Sequence, residues 1–348
     1  TWVVLVAVVG GLIALCVGFF VHWVMNIAIV LLATGFLLFM APVLWALLRA
    51  PTKNDTVSGM RLAVLGALTV ATLGVIMATG YATNHFVGDR SLLIGVHLGL
   101  GLLVWVGGLL SAVSYQILPM FYLAPRPPKH APATLRWMLI SSLILLVCVA
   151  ALHPWSALST RWMLLIAMTP GAVAVWGLHP VISLRSLWRR RRPKSDGSLR
   201  YWQTSMAIAP TLLPLGLMAL FASDPSWVLL FGWVALWGWA GTVIRGMLCR
   251  IVPFLVWFHR FAHLAGKVPI PSTKSLLPES RIRVGYVLHL LVLALGVLAI
   301  GTGWAPLGHG TGAALLLAGL WLMFELSTAL IRRPTPATCQ VSGPPAAT

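Results

Sequence analysis

Ten apolar runs, each about 20 residues long and joined by short polar connections, leave this chain few folds to choose from. They occupy roughly residues 2–21, 25–48, 62–82, 91–118, 135–153, 161–186, 202–222, 226–248, 283–302 and 311–331. At a rise of about 1.5 Å per residue, a helical run of this length crosses the hydrocarbon layer. Hydrocarbon cannot solvate backbone amides, so a spanning run must satisfy them internally, as a helix does. The pattern predicts an all-α, polytopic transmembrane helix bundle over residues 1–331, with a disordered cytoplasmic tail at 332–348. A soluble reading fails on composition: only 9% of the residues are charged, and six Asp and Glu cannot coat a globular surface of 348 residues.

The net charge of +18 acquires meaning only by position. Of the 24 Lys and Arg, all but Arg90 and Arg161 fall in connections after even-numbered runs or in the tail, and Arg245 and Arg250 are counted with these. The positive-inside rule makes that side cytoplasmic and puts both chain ends there. The run Trp188–Lys194, WRRRRPK, reads as a topology anchor on anionic lipid headgroups. It has no folded basic domain around it, so nucleic acid is not an expected partner. The opening at Thr1, without Met or a charged leader, predicts an upstream segment, with Trp2–Phe20 a span rather than a signal peptide. Cys16, Cys148, Cys249 and Cys339 form no CxxC or CxxCH, and so support neither a zinc knot nor covalent c-type haem.

Chemistry-bearing side chains inside the runs are few. His97 opens HLGLGLLVWVGGLLSAVSYQILPMFY, a glycine-rich stretch with Tyr115 and Gln116 toward its other end. Given the orientation, His97 lies in the outer leaflet, and His179 and His289 lie at matched depth in the inner leaflet. Imidazole is the usual axial ligand of haem and a common ligand of copper. Two histidines at one depth on separate helices are what a bis-His b-type haem requires. The competing reading of each is a core histidine bonded to a carbonyl or hydroxyl. His259 and His263, spaced i, i+4 in WFHRFAHL, would share a helix face and suit a metal, against a basic interfacial helix. Glu325 is the one acid well inside a run and reads as a proton site or as partner of an intramembrane Arg or His. Trp155, Trp162, Trp227 and Trp304 mark span edges, whereas Trp105, Trp176, Trp233, Trp237 and Trp239 lie deeper. No GxGxxG, Walker loop or HExxH is present.

Two stretches carry a family likeness. The segment His97–Pro128, with its H-x7-W-V-G-G core and VSYQILPMFYLAP, and the segment Arg245–His259, RGMLCRIVPFLVWFH, resemble bacterial membrane proteins distantly related to subunit I of haem-copper oxidases and to NnrS-type haem- and copper-containing membrane proteins. The likeness is specific over about 45 residues. It implies a twelve-helix bundle in the bacterial inner membrane, about two helices before Thr1, and histidines that ligate haem b or copper. His97 and His259 are the residues that carry over. The oxidase hallmarks are missing: there is no adjacent His-His pair within a run, no H-x-H pair and no H-P-E-x-x-Y run.

Together these readings favour a haem- or copper-associated electron-transfer protein. It would act as an oxidoreductase component, alone or with other membrane subunits, a quinol or a cytochrome. A transporter, with Glu325, Gln116 and the runs broken at Pro170, Pro210 and Pro214 lining a path, is the second reading. A cofactor-free structural subunit is the third.

Overall fold

The computed structural model describes residues 2–50, 54–191, 196–264 and 270–331. Its elements are helices, with no strand among the described residues. They are α1 (Trp2–Gly18), α2 (His22–Arg49), α3 (Asp55–Thr83), α4 (Arg90–Tyr122), α5 (Ala131–Trp155), α6 (Thr160–Trp188), α7 (Gly197–Phe221), α8 (Ser226–Arg260), α9 (Glu279–Thr302) and α10 (Ala305–Ile331). Nine, α2 to α10, are long and apolar enough to cross a membrane, and α1 follows at 17 residues. The chain is a multi-pass membrane protein with the expected helical bundle. The tail from 332 onward lies outside the described residues.

Helices overrun the apolar runs because the runs mark the hydrocarbon layer, whereas the backbone stays helical until something stops it. At the start of α3, Asn54 accepts a hydrogen bond from the Thr56 amide at 2.9 Å, so the helix begins at Asp55 rather than in the sixties. At the entry to α4, Asp89 accepts from the Ser91 amide at 2.8 Å. The α2 terminus is closed from a distance: Arg61 donates to the Leu47 carbonyl at 2.7 Å and the Ala50 carbonyl at 2.8 Å. A cation at a helix C-terminus also opposes the macrodipole.

Two expectations change with the helix ends. Arg245, counted among the connection charges, sits inside α8 and is only 4% exposed. His259 and His263 do not share a helix face, because α8 stops at Arg260 and His263 belongs to a separate turn, Ala262–Leu264.

Three spans contain a wide π-helical stretch: Leu100–Gly107 in α4, Val173–Leu178 in α6 and Val234–Gly241 in α8. Such stretches recur at functional sites. The α4 and α8 stretches lie in the same register of a repeated motif, L-x2-W-x-G-x9-I-x-P. It reads Leu102, Trp105, Gly107, Ile117, Pro119 in α4 and Leu236, Trp239, Gly241, Ile251, Pro253 in α8. The closing glycine has a backbone reason. A Cβ at Gly107 would lie 2.9 Å from the Leu102 carbonyl oxygen, and one at Gly241 would lie 2.9 Å from that of Leu236.

Contacts divide the chain into two compact units, Thr1–Pro193 with Met206–Phe231, and Lys194–Ser205 with Gly232–Thr348. In the first, Met40, Leu47, Val64 and Ala67 form one buried cluster, and Ala14, Met25 and Ala28 another. In the second, Tyr201, Cys249, Leu277 and Ile282 pack together. Large apolar side chains such as Leu316, Leu317 and Met323 point outward from α10, as a lipid-facing surface requires.

Candidate functional site

His97, His179 and His289 are each held at one ring nitrogen and left without a partner at the other. His179 on α6 is fully buried, and its Nε2 lies 2.9 Å from Ser114 Oγ on α4. That hydroxyl donates its proton to the Ser111 carbonyl at 2.8 Å, so only its lone pairs face the imidazole. The proton of the bond therefore belongs to Nε2, and Nδ1 keeps an unshared lone pair with no hydrogen-bond partner.

In the second unit, His289 on α9 repeats the arrangement. Its Nε2 is 2.8 Å from Thr242 Oγ1, which donates to the Gly238 carbonyl at 2.6 Å, and Nδ1 is again unpartnered. Trp237 stacks on the His289 ring with centroids 4.5 Å apart, and Tyr201 meets it edge-on at 5.8 Å. Trp237 also donates to the His289 carbonyl and Trp233 to the Leu293 carbonyl, both at 3.1 Å. The W-x3-W-x-W cluster thus grips α9 through two of its indoles.

His97 on α4 is half-buried, hydrogen-bonds to the Val70 backbone of α3 and has a buried, unpartnered Nδ1. A buried polar atom without a partner costs about 1–3 kcal/mol, so three such nitrogens ask for an explanation. One nitrogen fixed by a neighbour and one lone pair free is the way proteins present a histidine to a metal. The donor chemistry therefore fits haem iron or copper.

The surroundings rank the three. The His97 ring rests against Gly74, where a Cβ would come within 3.5 Å of its Cε1, and keeps some exposure. Tyr115 stands edge-on to the His179 ring and Trp237 stacks on that of His289, and both histidines are buried. Among the described residues no group of three or more His, Cys, Asp and Glu is arranged to hold a metal ion.

The second unit also contains a buried ion pair. Arg245 Nη2 stands 3.9 Å from Glu325 Oε2, and Cys249 Sγ lies 3.6 Å from Glu325 Oε1. The sequence left Glu325 two roles, and the structure supplies an intramembrane arginine beside it. Cys249 and Arg245 occupy the repeat positions held by Tyr115 and Ser111 in the first copy, and Tyr115 stands edge-on to His179 with centroids 6.2 Å apart. Both copies of the motif thus face a titratable group on a later span from the same register.

In the first unit a cavity of about 830 Å³ runs between α4, α6, α7 and the start of α8. Ser91, Thr160 and Asp224 lie at its polar end and Leu103, Trp176 and Phe231 at its apolar end; none of the three histidines lines it.

Ser114, Thr242, Arg245 and Gly285 were not singled out from the sequence. The repeated motif, whose copies lie too far apart to show as a short period, points to the register of Arg245, whereas Ser114 and Thr242 fall at positions the two copies do not share. No family model, no curated protein and no solved structure matches the chain.

Proposed function

We propose that this membrane protein is an electron-transfer component of the haem-copper oxidase subunit I-like type, with b-type haem, or else copper, held by its span histidines. The observation that supports the reading is the common arrangement of His97, His179 and His289: each imidazole is held through one ring nitrogen and leaves a buried Nδ1 without a partner. His97 is the leading haem ligand because its ring is the least enclosed, and His179 and His289 follow. The group, when bound, supplies reversible one-electron chemistry. The chain's own part is to fix the imidazoles through Val70, Ser114 and Thr242 and to surround them with apolar helices that exclude water. The reading places the protein in a bacterial inner membrane with both ends of this chain cytoplasmic, on the strength of its Lys and Arg distribution. A quinol, a cytochrome or other membrane subunits would be its redox partners.

A reduced-minus-oxidised absorption spectrum of the purified protein, with metal analysis on the same sample, tests it. A b-type band with stoichiometric iron, lost in His97→Ala while the helical circular dichroism is kept, is the expected result. Copper without iron moves the reading to the metal alternative. A flat spectrum without iron or copper overturns the redox reading. In that case the cavity of the first unit favours a transporter that takes an amphiphile with an apolar body and a polar end.

A further inference from the structure

We propose that Glu325, Arg245 and Cys249 form a hydrated proton-exchange site inside the second unit, with water as its ligand and Glu325 as the group that takes up and releases the proton. The proposal does not rest on the histidines binding a cofactor.

Its basis is that neither charge state of this cluster satisfies the groups in it. Glu325 is 0% and Arg245 4% exposed, so bulk water does not reach them. Glu325 Oε2 and Arg245 Nη2 are too far apart, at 3.9 Å, for a hydrogen bond. Oε2, Nη2 and Nε each lack a hydrogen-bond partner. With Glu325 ionised, a buried carboxylate oxygen is left bare. With Glu325 protonated, a buried guanidinium keeps the Ala318 carbonyl, 3.3 Å from Nη1, and the Tyr201 hydroxyl beside it, with no anion to balance its charge. Polar atoms separated in this way are commonly bridged by water, and a bridging water is also the nearest proton donor and acceptor.

Titratable and charged neighbours reach the cluster from three other helices, and the Glu279 charge at the start of α9 also acts on Cys249. From α7 comes the Tyr201 hydroxyl, beside Arg245. From α8 come Arg245 and Cys249, whose thiol points at Oε1. From α9 come Gly285, Arg281, which acts on Glu325 through its charge, and His289, which feels the Arg245 charge. Gly285 lets the pair approach the α9 backbone, since a Cβ there would fall 2.9 Å from Oε2 and 3.0 Å from Nη2. The repeat gives a second, independent pointer. The register that sets Cys249 against Glu325 in one copy sets Tyr115 against His179 in the other.

The step balances simply. Hydronium delivered through the bridging water gives its proton to Oε2, leaving water and a carboxylic acid, and the site's net charge goes from zero to plus one. Release reverses both changes.

Infrared difference spectroscopy of the full chain in lipid nanodiscs, titrated in H2O and D2O, reads this directly. The expected result is a protonated-carboxyl C=O band that grows as pH falls and shifts in D2O. It is lost in Glu325→Gln and displaced in Cys249→Ala, which removes the thiol contact to Oε1. The Cys249→Ala shift decides the matter if Glu325→Gln does not fold. A titration with no such band, or a band unmoved by either substitution, overturns the proposal.

Discussion

Thr242 Oγ1 sits between two acceptors and one imidazole: 2.6 Å from the Gly238 carbonyl, 3.1 Å from the Trp237 carbonyl and 2.8 Å from His289 Nε2. With its one proton committed to a backbone carbonyl, the hydroxyl can only accept from the histidine, and the tautomer of His289 follows. Removing the hydroxyl while keeping the side-chain shape, Thr242→Val, should leave Nε2–H buried without a partner. Interhelical hydrogen bonds inside membranes are worth about 1 kcal/mol. We expect a loss of that order in detergent unfolding, with Thr242→Ser close to the parent. Ser114→Ala should cost a similar amount through His179.

The glycines that close the two matching π-helical stretches should be intolerant of a methyl group. Gly107→Ala would place a Cβ 2.9 Å from the Leu102 carbonyl and 2.6 Å from Val175 Cγ1, whereas Gly101→Ala meets nothing closer than 3.8 Å. Overpacking of a well-packed core costs about 1–3 kcal/mol. Thermal unfolding should show that loss for Gly107→Ala and close to none for Gly101→Ala.

Arg61 closes α2 by donating to the Leu47 and Ala50 carbonyls. Hydrogen bonds to a charged group are worth about 1.5–3 kcal/mol, so Arg61→Ala should lower stability by that order. Limited proteolysis at the α2–α3 connection should accelerate as the α2 terminus frays. An unchanged cleavage rate would rule out the capping role.

Asp89, in the connection before α4, carries a pH signature. Its hydrogen bond from the Ser91 side chain, helped by the Ser91 and Leu92 amides, holds its carboxyl below the usual carboxylate range. A carboxylate with a depressed folded-state value stabilises the fold above its unfolded value, about 3.9. That contribution is lost as pH falls through the folded value. Unfolding temperatures of the parent should therefore drop below about pH 4. In Asp89→Asn, which keeps the cap oxygen without the charge, that part of the drop should disappear. Asp89→Ala should cost about 1 kcal/mol at neutral pH, as loss of an N-cap does.

The bundle was legible in the sequence because the constraint is one-dimensional. A run of about 20 apolar residues is a membrane helix whatever its neighbours are. The prolines at 119 and 253 did not end helices, since both lie inside continuous segments. Candidate residues were legible for a related reason: His97, His179, His289 and Glu325 are costly in hydrocarbon, and cost marks them out.

Only the tertiary structure decided what those residues meet. Arg245 reads as one more basic residue at a span edge until α8 is seen to continue to Arg260, which buries it against Glu325. Ser114 and Thr242 look like ordinary small residues of a helix interface, and become tautomer-setting acceptors only when α6 and α9 bring imidazoles against them. His259 and His263 show the converse, a helical spacing undone by a helix end that the local sequence does not mark. Hydropathy is a sum over one segment and survives without tertiary context. A hydrogen bond needs two side chains far apart in sequence, and its geometry exists only once the helices are packed.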